Sequence, residues 1–350
     1  MFRFTSFLLL ILGIAFQLPA QTQQPETPAQ SQPAAKSSDG SSQFAAALRL
    51  SQQGKYDEAV SQLQSFAAVT PKPAGLDHAF GVVYYQKGDY LKAAEYLKEA
   101  TNEDTNDKEA VQLLGLSYYR AGRPSEAIPY LEKVQTWYPK ANVDASYVLG
   151  TAYIQAKDYP NARKSFARMF DLPPDSAASY LLTARMLFRQ EYTPIAVEYA
   201  QKAVTIDPHL PLANQLLGEI HMFTSQIPEA IKDFQQELTI NPANPSTYYK
   251  LADAYSRVQK WDDAERLLQR SIWLDATSTG PFILLGKVLE KKGEPVLALG
   301  YLQKAAAMDP NNPMTHQILG QAYRDIGKQD DAAKELKIAE QLRNKQTDFQ

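Results

Sequence analysis

A period of 34 residues constrains the fold of this chain more than any other feature of its sequence. Six pairs of an apolar residue and a glycine recur at 34 residues or its multiples, with one extra residue between the third and fourth repeats. An alanine follows each of these glycines by twelve residues, and extending the register gives nine repeats. This regularity indicates stacked copies of one supersecondary unit. The six pairs are Phe80-Gly81, Leu114-Gly115, Leu149-Gly150, Leu217-Gly218, Leu285-Gly286 and Leu319-Gly320.

Small and large residues hold fixed places within each unit. The position of the repeated glycine holds glycine or alanine in all nine repeats. In eight repeats a large apolar residue lies four residues after the alanine that follows this position by twelve residues. A small residue lets the first helix approach the second closely, and we expect the alanine to contact it there, because a larger residue would cost about 1–3 kcal/mol by overpacking. The alanines are Ala59, Ala93, Ala127, Ala162, Ala196, Ala230, Ala264, Ala298 and Ala332.

This pattern resembles the tetratricopeptide repeat (TPR) family, whose unit is a helix–turn–helix of about 34 residues. The resemblance covers roughly residues 40–346 and implies an all-α, right-handed superhelical solenoid of about nine units. We predict an array over 43–346 and a tail over 347–350. Glycines such as Gly88 fall between the two helices, but repeat five has Glu191 there, and repeat six has His221 in the tyrosine position. The units are predicted to start near residues 40, 74, 108, 143, 177, 211, 245, 279 and 313.

The first twenty residues have the order of a secretory signal peptide. Arg3 provides a positive start, Phe7–Phe16 is an apolar run, and Ala20 is the small residue at the predicted cut. The run is about half the roughly 20 apolar residues that a membrane span requires. We therefore expect an exported protein, periplasmic or secreted, with no integral membrane span in the mature chain. A retained short anchor stays open, because Leu18 fits the cleavage rule poorly.

A linker is predicted over residues 21–42. The segment is rich in Gln, Pro, Ser and Ala and contains no aromatic residue and no Val, Ile, Leu or Met. Such a composition buries too little apolar surface to offset the entropy of folding, so we expect it to be disordered and to act as a tether.

Composition excludes several kinds of chemistry. The absence of cysteine removes disulfides, thiol nucleophiles and cysteine-ligated metal sites. The formal net charge of −3 argues against binding of nucleic acid, which requires basic surface. The four histidines are far apart in sequence, and no catalytic or nucleotide-binding motif occurs. We therefore expect no enzymatic activity, no cofactor and no metal ion.

The resemblance implies that the first helix of each unit lines a concave groove. In the middle repeats, the positions that should face inward hold aromatic rings and arginines, which are enriched in binding hot spots. The inward set also includes Ile154 and Gln215, and it turns polar at Lys287 and Glu290 in repeat eight. Alternatively, individual rings pack between neighbouring first helices. The candidate partner-binding residues are Tyr85, Tyr119, Arg120, Tyr147, Arg185, Phe188, Arg189, Phe223, Tyr249 and Arg257.

The leading hypothesis for function is a protein-interaction scaffold of bacterial envelope assembly. It predicts that an extended peptide or a helix with aromatic and acidic side chains docks near Arg185, Phe188 and Arg189. Chaperone-binding members of the family hold a terminal carboxylate with Lys and Asn, which the equivalent positions here lack, as at Leu181 and Arg185.

The alternative hypothesis is a structural envelope protein that associates with itself. The last predicted helix carries Leu336, Ile338 and Leu342, and no polar capping helix clearly follows it. Terminal repeats without a polar cap expose apolar surface, through which two copies can pair.

Overall fold

The computed structural model describes residues 44–137 and 143–347. Within these two ranges the chain forms eighteen α-helices in nine antiparallel pairs and no β-strand, so the predicted all-α architecture is confirmed. The predicted signal peptide and linker, and residues 348–350 of the predicted tail, lie outside the described residues.

The first helix of each pair is called the A helix and the second the B helix. The A helices are α1 (Ala45–Gln52), α3 (Leu76–Lys87), α5 (Lys108–Arg120), α7 (Val143–Gln155), α9 (Ala177–Arg189), α11 (Ala213–Phe223), α13 (Pro245–Arg257), α15 (Thr279–Lys292) and α17 (Pro313–Asp325). The B helices are α2 (Tyr56–Ala67), α4 (Tyr90–Glu103), α6 (Pro124–Trp137), α8 (Tyr159–Met169), α10 (Thr193–Ile206), α12 (Ile227–Ile240), α14 (Trp261–Leu274), α16 (Pro295–Met308) and α18 (Gln329–Thr347).

Short polar side chains fix where several helices begin. Asp89, Asp107 and Asp158 each accept a hydrogen bond from a backbone N–H three residues further on, at the starts of α4, α5 and α8. Asn244 and Asn312 cap α13 and α17 in the same manner. Each cap satisfies N–H groups that have no partner inside the helix.

In every repeat, the turn between the A and B helices has one residue with a left-handed backbone conformation, and it lies at the same position of the repeat. In five repeats this residue is glycine, with φ between 73° and 86°. In the other four it is Lys157, Glu191, Ser225 or Gln259, with φ between 59° and 66°. The glutamate of repeat five is therefore a change of residue type without a change of backbone conformation.

The repeated small residues lie at the interface between the A and B helices. The nine alanines of the B helices are buried, as predicted. The glycine of the A helix faces the large apolar residue four positions after the alanine. A Cβ at Gly81 would lie 2.4 Å from Cγ of Leu97, and one at Gly218 would lie 2.5 Å from Cε1 of Phe234. A side chain at the glycine position would therefore collide first with this large apolar residue.

Helices pack against their neighbours in sequence. Every substantial contact between described helices joins two that are adjacent or next but one in the chain. The next-but-one contacts all join A helices, as α13 joins α15, and no pair of described B helices makes a comparable contact. The A helices are thus the more closely spaced layer, which is the inner layer of a curved solenoid.

Candidate functional site

The middle of the A-helix layer carries an exposed aromatic pair beside two arginines. Phe188 lies near the C-terminus of α9. Its ring packs edge to face against the ring of Phe223 on α11, and the two ring centroids lie 5.5 Å apart. Phe223 keeps 66% of its surface exposed. Arg189 is exposed and Arg185 is half-buried, both on α9. These four residues, which the sequence predicted as partner-binding, therefore lie on two adjacent A helices.

The two arginines on α9 have no partner of opposite charge among the described residues. Neither Arg185 nor Arg189 makes an ion pair or a side-chain hydrogen bond within residues 44–137 and 143–347. A guanidinium group has five N–H donors and stays charged at neutral pH. The surface formed by Arg185, Phe188, Arg189 and Phe223, which we call the central patch, thus combines an accessible ring with two available cations.

Three predicted residues lie in the N-terminal part of the A-helix layer. The ring of Tyr85 lies 5.7 Å from the ring of Tyr90, and Arg120 is exposed nearby. Burial raises the pKa of Tyr85, and the positive charge of Arg120 opposes this effect. Burial also raises the pKa of Tyr119, against a hydrogen bond with Thr151. Both tyrosines are half-buried and reach neighbouring A helices, so packing is part of their role.

Tyr147 and Tyr249 also pack between helices. The ring of Tyr147 lies 6.4 Å from the ring of buried Phe166 on α8. Tyr249 on α13 reaches α15, where a Cβ added to Gly280 would lie 3.4 Å from its phenolic oxygen. The packing of these two half-buried rings agrees with the alternative prediction, in which rings fill the space between helices.

Arg257 differs from the arginines of the central patch because it has an ion partner. Its Nη2 lies 3.2 Å from a carboxylate oxygen of Asp253, one turn earlier on α13. Ile154 and Gln215, expected in the groove, are buried instead. Gln215 accepts hydrogen bonds from Asn244 and Thr247 of the next repeat. It therefore holds two repeats together and is not available to a ligand.

A cavity of about 280 Å³ lies between α13 and α15. Leu284 and Val288 of α15 and the indole of Trp261 from α14 supply its apolar lining. Its polar lining includes the Asp253–Arg257 pair and Lys287. The repeat pattern predicts Arg257 and Lys287 in the groove but does not reveal the cavity. Trp261 belongs to a B helix, so no pattern along the A helices could have revealed it.

The C-terminal end of the A-helix layer holds two carboxyl groups in contact. Glu290 of α15 and Asp325 of α17 are close enough to share a hydrogen bond. Burial and this neighbour raise the pKa of Glu290 to about 7, while Lys291 lowers it. Gln321 donates a further hydrogen bond of 2.7 Å to Asp325.

Three histidines are held by carboxylates. The Nδ1 atoms of His78, His221 and His316 lie 2.5, 2.6 and 2.6 Å from carboxylate oxygens of Asp107, Asp233 and Glu335. Burial opposes the charged imidazolium of His78, but hydrogen bonds to Asp107 and Glu109 raise its pKa to about 9. Each pair joins two helices, which is a structural arrangement.

In the part of the chain that the structure describes, no three His, Asp or Glu side chains are grouped so that they could hold a metal ion. None of the described helices combines the length and the apolar character needed to cross a membrane.

Models of the tetratricopeptide repeat family match the chain over residues 44–108, 78–146, 118–186 and 247–281. These matches cover the first four repeats, the start of the fifth and the seventh repeat of the register found in the sequence. The chain therefore belongs to the tetratricopeptide repeat family, and its helix pairs form a right-handed solenoid of the type that this family builds.

Curated relatives share the repeat at low identity. The TPR repeat-containing protein MJ1428 of Methanocaldococcus jannaschii is 22% identical, over 79% of this chain and 59% of its own length. Anaphase-promoting complex subunit 3 of Schizosaccharomyces pombe is 21% identical, over 87% and 46%. The protein YpiA of Bacillus subtilis is 22% identical, over 62% and 51%. The chain spans about half the length of these relatives.

Solved structures with a similar fold include MamA, which is 23% identical with a TM-score of 0.45 and covers 47% of this chain and 96% of its own. Another is YrrB, described as a TPR protein with an unusual peptide-binding site, which is 21% identical with a TM-score of 0.44. It covers 48% of this chain and 87% of its own.

Proposed function

We propose that this protein is an exported, non-enzymatic scaffold that binds a partner protein through the concave face of its A helices. The observation that carries the proposal is the central patch, where the exposed ring of Phe223 meets Phe188 beside Arg185 and Arg189. The ligand is an extended peptide or a helix of the partner. The membership of the chain in a repeat family supports a binding role, because stacked repeats form long concave surfaces.

The chemistry of the central patch specifies the side chains that the ligand carries. Aromatic side chains and arginine dominate binding energy at protein interfaces because they bury large areas and form directional contacts. Arg185 and Arg189 have no carboxylate partner in the described chain, so an acidic ligand meets two available cations. An aromatic ring of the ligand fits against the exposed face of Phe223.

Export and a role in assembly of a bacterial envelope are part of the proposal. Support for export comes from the order of charged, apolar and small residues over positions 1–20. Fractionation of the source cells tests it: recovery of the shortened chain outside the cytoplasm is expected. Recovery of the chain with Met1 in the cytoplasm contradicts export and leaves binding by the groove as a separate question.

Binding is tested with a fluorescein-labelled synthetic peptide of alternating acidic and aromatic residues, measured by fluorescence anisotropy with the full chain. Arg185→Glu combined with Arg189→Glu is expected to weaken binding by more than about tenfold, because two attractive charges become repulsive. The control is Lys202→Glu with Lys232→Glu, which makes the same charge change on exposed positions of the B helices α10 and α12. Equal affinity of the two double variants contradicts the proposal. Cross-linking in the source organism and mass spectrometry then identify the natural partner.

Self-association through the last repeat is the second candidate. Leu336, Ile338 and Leu342 are half-buried, and residues 329–345 show no exposed large apolar side chain. This burial favours the scaffold. A molar mass by light scattering that stays at the monomer value as concentration rises removes the second candidate, whereas a mass that grows with concentration supports it.

A further inference from the structure

The cavity between α13 and α15 differs in character from the central patch. Its apolar surface comes from Trp261, Leu284 and Val288, and the polar side chains around them contribute almost as much of the lining. Its volume of about 280 Å³ compares with the roughly 150 Å³ of an apolar cavity that already holds a benzene ring. One large apolar side chain can therefore enter it.

The rim of the cavity has one unbalanced positive charge. Arg257 is paired with Asp253 on its own helix, so these two charges cancel. Lys287 is exposed and makes no ion pair or hydrogen bond among the described residues. Charge complementarity therefore favours a carboxylate next to the apolar side chain that fills the cavity.

The cavity lies two repeats beyond the central patch. The patch joins α9 to α11, and the cavity joins α13 to α15. Packed helices lie about 8–10 Å apart, so two steps along the A-helix layer amount to about 20 Å. An extended chain advances about 3.3 Å per residue, so about six residues span this distance.

We propose that the cavity is a second anchoring point for the same ligand and that it takes a large apolar side chain whose neighbouring carboxylate pairs with Lys287. This inference rests on the proposed function. It adds that the ligand is an extended segment of a partner protein with two acidic–apolar anchors about six residues apart. A helical ligand rises only about 1.5 Å per residue, so it would need about 13 residues between the two anchors, and anchors about six residues apart distinguish the extended segment from a helix.

The test uses synthetic labelled peptides and the full chain in fluorescence anisotropy. One peptide carries an Asp-Phe anchor alone. A second joins this anchor to a Leu-Asp anchor through a Gly-Ser spacer of about six residues, and a third joins them with no spacer. The spaced peptide is expected to bind at least about tenfold more tightly than the other two, because its second anchor binds intramolecularly.

Lys287→Glu is expected to reduce the affinity for the spaced peptide to that of the single-anchor peptide. The matched control is Lys304→Glu on the B helix α16 of the same repeat, which is exposed and makes no ion pair within the described ranges. Circular dichroism melting checks that both variants fold. Two results overturn the anchor proposal and leave the proposed function intact, provided that the single-anchor peptide still binds. One is that the spacer brings no gain in affinity, and the other is that Lys287→Glu leaves the affinity for the spaced peptide unchanged. If the single-anchor peptide does not bind at all, both proposals fail together.

Discussion

Glu290 and Asp325 bring two carboxyl groups into contact across the neighbouring A helices α15 and α17. Oε1 of Glu290 is buried and has no hydrogen-bond partner within the described chain. Two carboxylates cannot both be charged at such short range without repulsion, so the pair retains a proton to a higher pH than either group alone. The contact between repeats eight and nine therefore depends on pH.

Stability is expected to fall as the pH rises through about 7. The pKa of Glu290 is raised from its ordinary 4.5 by folding. The contribution of Glu290 to the free energy of unfolding is therefore fully present below pH 4.5 and is lost as the pH rises above the folded pKa. After allowance for solvent screening, Glu290→Gln should raise the unfolding free energy at pH 8.5 by about 1 kcal/mol relative to the wild type and flatten its pH dependence. Urea unfolding at pH 5.5 and pH 8.5 measures this, with Glu340→Gln as the exposed control. Parallel pH profiles for wild type and Glu290→Gln would contradict the prediction.

Replacing the left-handed glutamate of repeat five should stabilise the chain. Glu191 has φ 66°, a conformation that costs an L-residue about 1 kcal/mol and glycine little. Since glycine also gives the unfolded chain more entropy, we expect a net gain of about 0.5 kcal/mol for Glu191→Gly.

The reciprocal control for this turn is Gly293→Ala. A Cβ at Gly293 meets nothing within 4 Å, and its φ is 78°. Only backbone strain can act there, so a loss of about 1 kcal/mol is expected in denaturant unfolding. A loss of stability for Glu191→Gly, or none for Gly293→Ala, would show that the turn is relaxed differently in solution.

A methyl group added at Gly218 should destabilise repeat six. Its Cβ would lie 2.5 Å from the buried ring of Phe234, so the ring must move. We expect Gly218→Ala to lower the unfolding free energy by about 2 kcal/mol. Phe234→Leu should restore part of this loss, because repeat seven already pairs Ala252 with Leu268. A double-mutant cycle measures the coupling, and additive effects of the two changes would argue against direct contact.

Glu237, on α12, stabilises the start of α11, the other helix of the same repeat. It is fully buried, and its carboxylate accepts hydrogen bonds from the backbone N–H groups of Leu212 (2.8 Å) and Gln215 (3.3 Å) at the start of α11. Glu237→Ala should therefore cost about 2 kcal/mol by leaving these donors unpaired, and Glu237→Gln about half as much. Thermal or urea unfolding measures both, and Glu340→Ala serves as an exposed control. A cost below that of the control would mean that water replaces the carboxylate.

The sequence predicts the parts of the fold that depend on residue type at a repeated position. The glycine and alanine columns predicted the helix pairs and the buried B-helix alanines, because overpacking excludes larger residues there. The left-handed conformation of Lys157, Ser225 and Gln259 could not be predicted from residue type, since these residues do not favour it. Only the register shared with Gly54 and Gly88 indicates it.

Side-chain arrangements that involve several helices were harder to predict. Position in the repeat places Arg185 and Phe223 on A helices, but it could not show that Ile154 is buried or that Asp253 neutralises Arg257. Glu237 left a signal that can be read in retrospect. It is a carboxylate in a column that holds Ala203 and Ser271 in the flanking repeats, where a charge requires a buried partner.

The neighbour-only packing of the helices has a consequence for how the molecule opens. No described helix is fastened to one far away in sequence, so loss of an end repeat removes a single junction and leaves the others assembled. The solenoid is thus a row of coupled folding units, and its amide protons should exchange fastest at the ends and slowest near α9 to α13. The proposed ligand, which spans repeats five to eight, would hold together the units that open last and slow their opening further.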